Sequence, residues 1–242
     1  GSDLNAYLAA GIRTDHETTT AEEALEKLSK GMHILIREGS VSKDLHALPP
    51  IITARNSPHI AFCTDDRHPL DIAEEGHLAF MISTALAHGA APLAAYRAAS
   101  ISAARAFRLH DRGLIAPGWR ADIAVIDGLE TCRVSSVLAA GKLVDEARFA
   151  GRRSVPAVGF DSVKSKHVSA LQLTVRGTGL QTHVIGVTSG KIITAHLVRD
   201  LPSENGVVRA DLSQDVVKVA VIERHGINGN YEGFKSDSEL PM

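Results

Sequence analysis

Cysteine is almost missing from this chain: only Cys63 and Cys132 occur among 242 residues, far apart and without a CxxC pair. That scarcity excludes a disulfide framework, a thiolate zinc site and the HxE…PCxxC pattern of the cytidine-type deaminases. No apolar run approaches the ~20 residues that a spanning helix needs, and mean hydropathy is only +0.01, so no membrane partner is expected. Charge of one sign is not in excess either. With 26 basic against 28 acidic side chains the net charge is −2, which offers no overall field for nucleic acid or anionic lipid. The first residues lack a basic segment followed by an apolar core, so no signal peptide is read and a reducing cytoplasm is the expected location. Internal repeats and low-complexity segments are missing as well.

What is present is the composition of a core-forming globular chain, 44% hydrophobic and 22% charged, long enough for one large domain or two ordinary ones. Two features stand out: twelve histidines, and an aromatic content of only 4%.

Up to about residue 117 helical and strand-like segments alternate at short spacing, which predicts successive βα units feeding a parallel sheet. A helix is expected over 4–10, closed by Gly11, then a short strand over 12–14 and a helix over 21–29 with threonine N-caps and an Ala24, Leu25, Leu28 stripe. The run 32–36 is nearly continuous in hydrophobicity and reads as a strand buried on both faces. A helix near 43–48, a third strand over 60–64, and two longer helices over 76–88 and 92–107 follow, the last opening on a proline suited to a first turn. Beyond Gly118 the texture becomes that of a small β meander, with strands over 121–127 and 134–139 and a Gly141-Lys142 turn. A linker over 151–156 leads to β-rich segments at 169–175, 183–187, 191–197 and 216–221, an α+β or β domain.

In parallel βα architectures ligands and catalytic groups collect at the C-terminal strand ends. Here all three such ends in the first half carry ionisable groups: Asp15, His16 and Glu17; Arg37 and Glu38; Asp65, Asp66, Arg67 and His68. Each cluster alone has a structural alternative, Asp15 starting a turn and Glu17 complementing the dipole of the next helix. Together they suit a divalent metal that activates water, with imidazole as ligand and carboxylate as ligand and proton acceptor. Arg37 and Glu38 either bind a polar substrate or pair with each other at the mouth of the sheet. The remaining histidines lack partners at ligand spacing, and Cys63, inside a strand, reads as a small buried hydrophobe.

These residues resemble a known family. The runs Thr14-Asp15-His16-Glu17, Arg37-Glu38-Gly39-Ser40 and Cys63-Thr64-Asp65-Asp66-Arg67-His68-Pro69, with the opening Asp3-Leu4-Asn5-Ala6-Tyr7-Leu8, are similar to adenine deaminases of the amidohydrolase superfamily. Gly113-Leu114-Ile115-Ala116-Pro117-Gly118 resembles the segment with which many amidohydrolases leave their barrel, and Val219 to His225 resembles the start of the family's C-terminal domain core. The resemblance implies an α/β fold: the last part of a TIM-type (β/α)8 barrel, strands six to eight, over 1–117; a small β segment over 118–156; and a C-terminal α+β domain over 157–242.

The resemblance also implies roles. His16 is the metal-binding histidine after barrel strand six, Asp65 the strand-eight aspartate that binds metal and acts as general base, and Asp66, Arg37 and Glu38 lie near the purine. The implied reaction is hydrolytic deamination of adenine to hypoxanthine and ammonia in purine salvage, with a divalent metal, manganese or iron and zinc as the alternative, in a homo-oligomer. The family's His-x-His, its strand-four glutamate and its strand-five histidine have no counterpart here and are expected upstream of Gly1, so that alone the chain holds at most a residual metal site. Other outcomes kept open are a different cyclic-amide or cyclic-amidine hydrolase and a non-catalytic remnant.

Overall fold

Three parallel strands organise the first half of the chain: β1 (Thr14–Asp15), β2 (His33–Arg37) and β3 (Ile60–Cys63), hydrogen-bonded in that order. Thr14 registers with His33, and Ile34 with Ile60. The computed structural model describes residues 1–165, 167–225 and 231–233. The chain divides into two units, Gly1–Arg152 with Ser189–Ile192, and Arg153–Thr188 with Ile193–Met242.

In the first unit β2 is the central strand. Its Ile34, Leu35 and Ile36 are all buried, which a strand flanked on both sides and covered on both faces requires. Helix α1 (Ser2–Ala9) precedes β1, and α2 (Ala21–Ser29) makes the crossover to β2. The Thr20 hydroxyl accepts a hydrogen bond from the Glu23 amide at 3.3 Å, and Glu22 and Glu23 complement the dipole of the first turn, so α2 begins and ends where its caps dictate. Ala24 of α2 joins Ile34, Ile36, Leu45, Leu48, Ile51, Ile52 and Ile60 in one aliphatic cluster.

After β3 come α3 (Pro69–Glu74), α4 (Leu78–Ala87), α5 (Pro92–Ala98) and α6 (Ile101–Ala106). Met81, Ile82 and Ala85 of α4 and the alanines Ala94, Ala95 and Ala98 of α5 close the cluster, and Phe62 is its one buried aromatic among the described residues. The low aromatic content therefore has a packing counterpart, a core in which alanine-faced helices lie close to aliphatic strands.

Two helices differ from expectation. Residues 43–48 form turns, because their amides bond back to the end of β2: Asp44 N donates to the Arg37 carbonyl at 3.1 Å and Leu45 N to Glu38 Oε2 at 3.2 Å. Two short 3₁₀ turns, Pro49–Ile51 and Ser57–His59, follow. The expected helix over 92–107 breaks into α5 and α6 at Ser100, whose backbone leaves the helical region (φ −134°, ψ −98°) while its hydroxyl donates to the Tyr96 carbonyl at 2.7 Å.

The meander forms with its turn one residue earlier than expected, Lys142 opening the last strand: β4 (Ile123–Ile126), β5 (Val134–Ala139) and β6 (Lys142–Leu143) pair antiparallel in sequence order. Ala140 and Gly141, both at positive φ (53° and 75°), make the two-residue hairpin loop. A short helix, α7 (Glu146–Ala150), follows, capped by Asp145.

The second unit consists of hairpins. β7 (Thr182–Gly186) pairs antiparallel with β8 (Ala195–Arg199), β9 (Ser203–Glu204) with β10 (Val207–Val208), and β11 (Ala220–Ile222) with β12 (Tyr231–Gly233). The strand expected over 169–175 is replaced by turns, Gln172 N bonding to the Ser169 carbonyl and Thr174 N to that of Leu171. Among its described residues this unit has one 3₁₀ turn, Leu212–Gln214, and no α-helix. The polar stretch over 235–242 lies outside the described residues. Among the described residues no helix is long and apolar enough to cross a membrane.

Ile36, fully buried in the central strand β2, is the most informative core position. Ile36→Ala is expected to lower unfolding free energy by about 2–5 kcal/mol, read as a shift in the urea midpoint at constant slope.

Candidate functional site

Each of the three parallel strands ends on or just before charge, and parallel pairing puts those ends on one rim. Arg37, the last residue of β2, registers with Cys63, the last of β3, and Asp15, the last of β1, with Ile34. His16 and Glu17 continue from β1, Glu38 from β2, and Thr64, Asp65 and Asp66 from β3.

Arg37 organises this rim. Its side chain is 1% exposed, yet the guanidinium reaches three carboxylates. Toward the interior Nε and Nη2 both donate to Asp44 Oδ2, at 3.2 and 3.0 Å, and Asp44 is fully buried. Toward the rim Nη1 donates to both oxygens of Glu17 at 3.1 Å and to Asp65 Oδ2 at 3.4 Å. Glu17 and Asp65 are about half exposed, at 52% and 48%. One cation thus has a buried end at Asp44 and a rim end at Glu17 and Asp65. His16 extends the array, its Nε2 lying 3.2 Å from Glu17 Oε1, so that His16, Glu17, Arg37 and Asp65 follow one another along the rim.

Asp65 sits in the left-handed backbone region, at φ 52°. Aspartate is among the few residues that tolerate this conformation, at an energetic cost that the surrounding structure must offset. Here the turn directs the carboxylate back over β2 toward Arg37.

The other candidates are placed differently. Glu38 follows Arg37 at the strand end, and successive strand side chains point to opposite faces. It accordingly turns away from Arg37 and is fully buried; Oε2 accepts from Leu45 N, and Oε1 has no hydrogen bond, with His46 Nε2 at 3.8 Å. The alternative of a mutual Arg37 and Glu38 pair is corrected: the arginine takes Asp44, Glu17 and Asp65 instead. Burial pushes the Glu38 carboxyl above the usual carboxylate range.

Asp66 holds a loop. Its Oδ2 accepts from the Val41 amide at 2.8 Å, while Oδ1 occupies the space in which a side chain on Gly39 would lie, 1.6 Å from an ideal Cβ. Ser40 adds a bond to Asp71 and accepts from His68 N at 3.0 Å. Asp15 belongs to the anchoring of α2. Burial acts to raise its carboxyl, but hydrogen bonding and the ion pair with Lys27, 2.8 Å away, prevail and hold it below the usual range. Arg67 is buried against the Phe80 ring, 4.5 Å from its centroid, and pairs with Glu75. Burial drives the Cys63 thiol up to about 12, which removes it as a nucleophile.

Sequence reasoning did not assign Glu17 or Asp44 to the site. Glu17 stood within a charged cluster and had a signal. Asp44 had none, since a loop residue seven positions beyond Arg37 gives no periodicity from which contact could be read.

The sequence profile of the amidohydrolase family matches residues 2–146. The chain belongs to the amidohydrolase family. The chain is 63% identical over 235 residues to adenine deaminase 1 of Agrobacterium fabrum, covering 97% of this chain and 41% of that protein. It is 62% identical to adenine deaminase 1 of Rhizobium meliloti, with 97% and 42% covered, and 60% identical to the adenine deaminase of Brucella suis, with 95% and 40% covered. The chain therefore spans about two fifths of the length of these relatives. Among solved structures, phenylurea hydrolase B aligns over 64% of this chain and 44% of its own at 17% identity, with a TM-score of 0.41.

Membership of the amidohydrolase family implies a divalent metal. His16 and Asp65 are donors of the right kind, imidazole and carboxylate. They do not suffice in number: among the described residues no group of three or more His, Cys, Asp or Glu side chains is arranged to hold an ion. One of the two, Asp65, already faces the Arg37 guanidinium. His16 and Asp65 thus do not by themselves make a metal-activating centre at this rim among the described residues.

Replacing Arg37 by methionine strands Asp44 as a buried, uncompensated charge and is expected to cost about 3–5 kcal/mol. The double variant R37M/D44L should recover much of that loss in the same urea titration. Glu38 gives a pH signature. A carboxyl raised in the folded state confers its stability below the unfolded value, about 4.3, and loses it as pH rises through the folded value. Glu38→Gln is therefore expected to be more stable than the parent chain at neutral pH, with the difference vanishing toward pH 4 in a series of melts.

Proposed function

We propose that this chain is the C-terminal part of an adenine deaminase and serves the hydrolysis of adenine to hypoxanthine and ammonia. The observation that carries the reading is identity of 60–63% with proteins of that name along 95–97% of the chain. Residues 1–117 are read as the end of the catalytic barrel, 118–156 as the small β segment, and 157–242 as the C-terminal domain. A homo-oligomer taking a purine base is part of the same reading.

The reaction replaces an exocyclic amino group by the oxygen of water, so it needs a group that removes a proton from water and returns it to the departing nitrogen. Asp65 is the candidate, since its carboxylate is half exposed on the rim and oriented by a buried cation. Arg37 and Glu17 act as positioning residues through Asp65 and His16. A divalent metal, manganese or iron with zinc as alternative, would supply the activated water; His16 and Asp65 are the two donors this chain offers it. Asp66 is read as a purine-side residue that shapes the 39–41 loop, whereas Glu38, fully buried and holding the Leu45 amide, supports that strand end from inside.

The short donor set among the described residues favours a second reading, that this chain alone holds at most a residual metal site and does not release ammonia from adenine. Ammonia release from adenine is therefore to be measured both for this chain and for the chain extended to the length of its relatives. The extended form is expected to be active and to lose roughly 10²–10⁴-fold in kcat on Asp65→Asn. Preference for guanine, cytosine or a dihydropyrimidine over adenine would overturn the substrate assignment, and turnover by the unextended chain would overturn the need for further ligands.

A further inference from the structure

The second unit contains a pair of imidazoles that the deaminase reading leaves unused. His183 lies on β7 and His196 on β8. His183 registers with Val198, and Ile185 with His196, so the two histidines are diagonal cross-strand neighbours on one face of the hairpin, a spacing that ring-sized side chains bridge. Their rings do bridge it: His183 Nδ1 and His196 Nε2 are 2.6 Å apart, with the ring planes inclined by only 24°. The centroids are 4.8 Å apart, which leaves room for little more than the two ring radii beyond the nitrogen separation. The nitrogens therefore meet head-on in their ring planes, and the lone pairs converge on one point. Both residues are exposed.

Two neutral imidazoles so arranged share a single proton; when the ring that carries it takes its other neutral tautomer, with the proton on the far nitrogen, both facing nitrogens offer lone pairs to a metal ion. We propose that His183 and His196 form a cross-strand binding site for a borderline divalent transition metal of the zinc, nickel and copper class, distinct from the rim site of the first unit. Imidazole nitrogen is a preferred donor for these ions and a poor one for magnesium or calcium. With Zn–N bonds of about 2.0–2.1 Å in a tetrahedral shell, the two nitrogens must open to roughly 3.3 Å. The bound ion would link two strands that are otherwise joined by backbone bonds, and would fasten β7 to β8 near the end where 187–194 connects them. Metal binding to the folded hairpin and not to the open chain stabilises the hairpin by linkage.

The test is calorimetric titration of Zn²⁺ into the full 242-residue chain after chelator treatment, alongside amide hydrogen exchange. Expected are a binding event for one ion per chain and slower exchange in 182–186 and 195–199 with Zn²⁺ present. Both effects should disappear in His183→Gln and in His196→Gln and persist in H16Q/D65N, which removes the rim donors. Exchange of the hairpin amides in metal-free H183Q and H196Q, unchanged from the parent, shows that the hairpin still forms. Binding and protection that survive both hairpin variants, or no Zn²⁺-dependent protection in the parent chain, would overturn the assignment. Neither result bears on adenine turnover, which tests the rim.

Discussion

A single buried cation sets the geometry of the rim. Arg37 brings a full charge to the end of the central strand, where its desolvation would be prohibitive without compensation, and the fold surrounds it with three carboxylates from three separate segments. Asp44 supplies the buried counter-charge and fixes the guanidinium plane; with that plane fixed, the remaining N–H groups can point only toward Glu17 and Asp65. The loop over 43–48 cannot become a helix while its amides and Asp44 are committed to this strand end. The loss of a predicted helix and the placement of Asp65 are therefore two results of the same constraint.

Much of the fold was legible because it depends on local signals. Threonine before an acidic first turn defined α2 to the residue, the unbroken hydrophobicity of 32–36 identified a strand buried on both faces, and the meander followed from short alternating runs separated by a glycine turn. The failures share a cause. Residues 43–48 and 169–175 have acceptable helix and strand patterns, yet their amides find partners that periodicity does not represent, a strand-end carbonyl in one case and local turns in the other. Ser100 interrupts a run of alanines that propensity would extend, since its hydroxyl competes for a carbonyl within the helix.

The site was legible to the level of which strand ends carry charge, and no further. Adjacent letters in the sequence, Arg37 and Glu38, face opposite sides of the sheet, whereas Arg37 and Asp44, separated by a loop, share a bond. Pairing across a parallel sheet is decided by register and by side-chain direction, neither of which a run of charged residues encodes. For the same reason only His16 among the histidines had an argued ligand role, while His183 and His196 become a pair only once β7 and β8 are laid side by side.

The carboxylate of Asp66 fills the volume left vacant above Gly39, and its other oxygen holds the Val41 amide. The loops leaving β2 and β3 are consequently interlocked as tenon and mortise rather than merely adjacent. Neither can be displaced without the other, so a ligand that presses on one transmits its force to both, and the residues at 39 and 66 can change in evolution only as a couple.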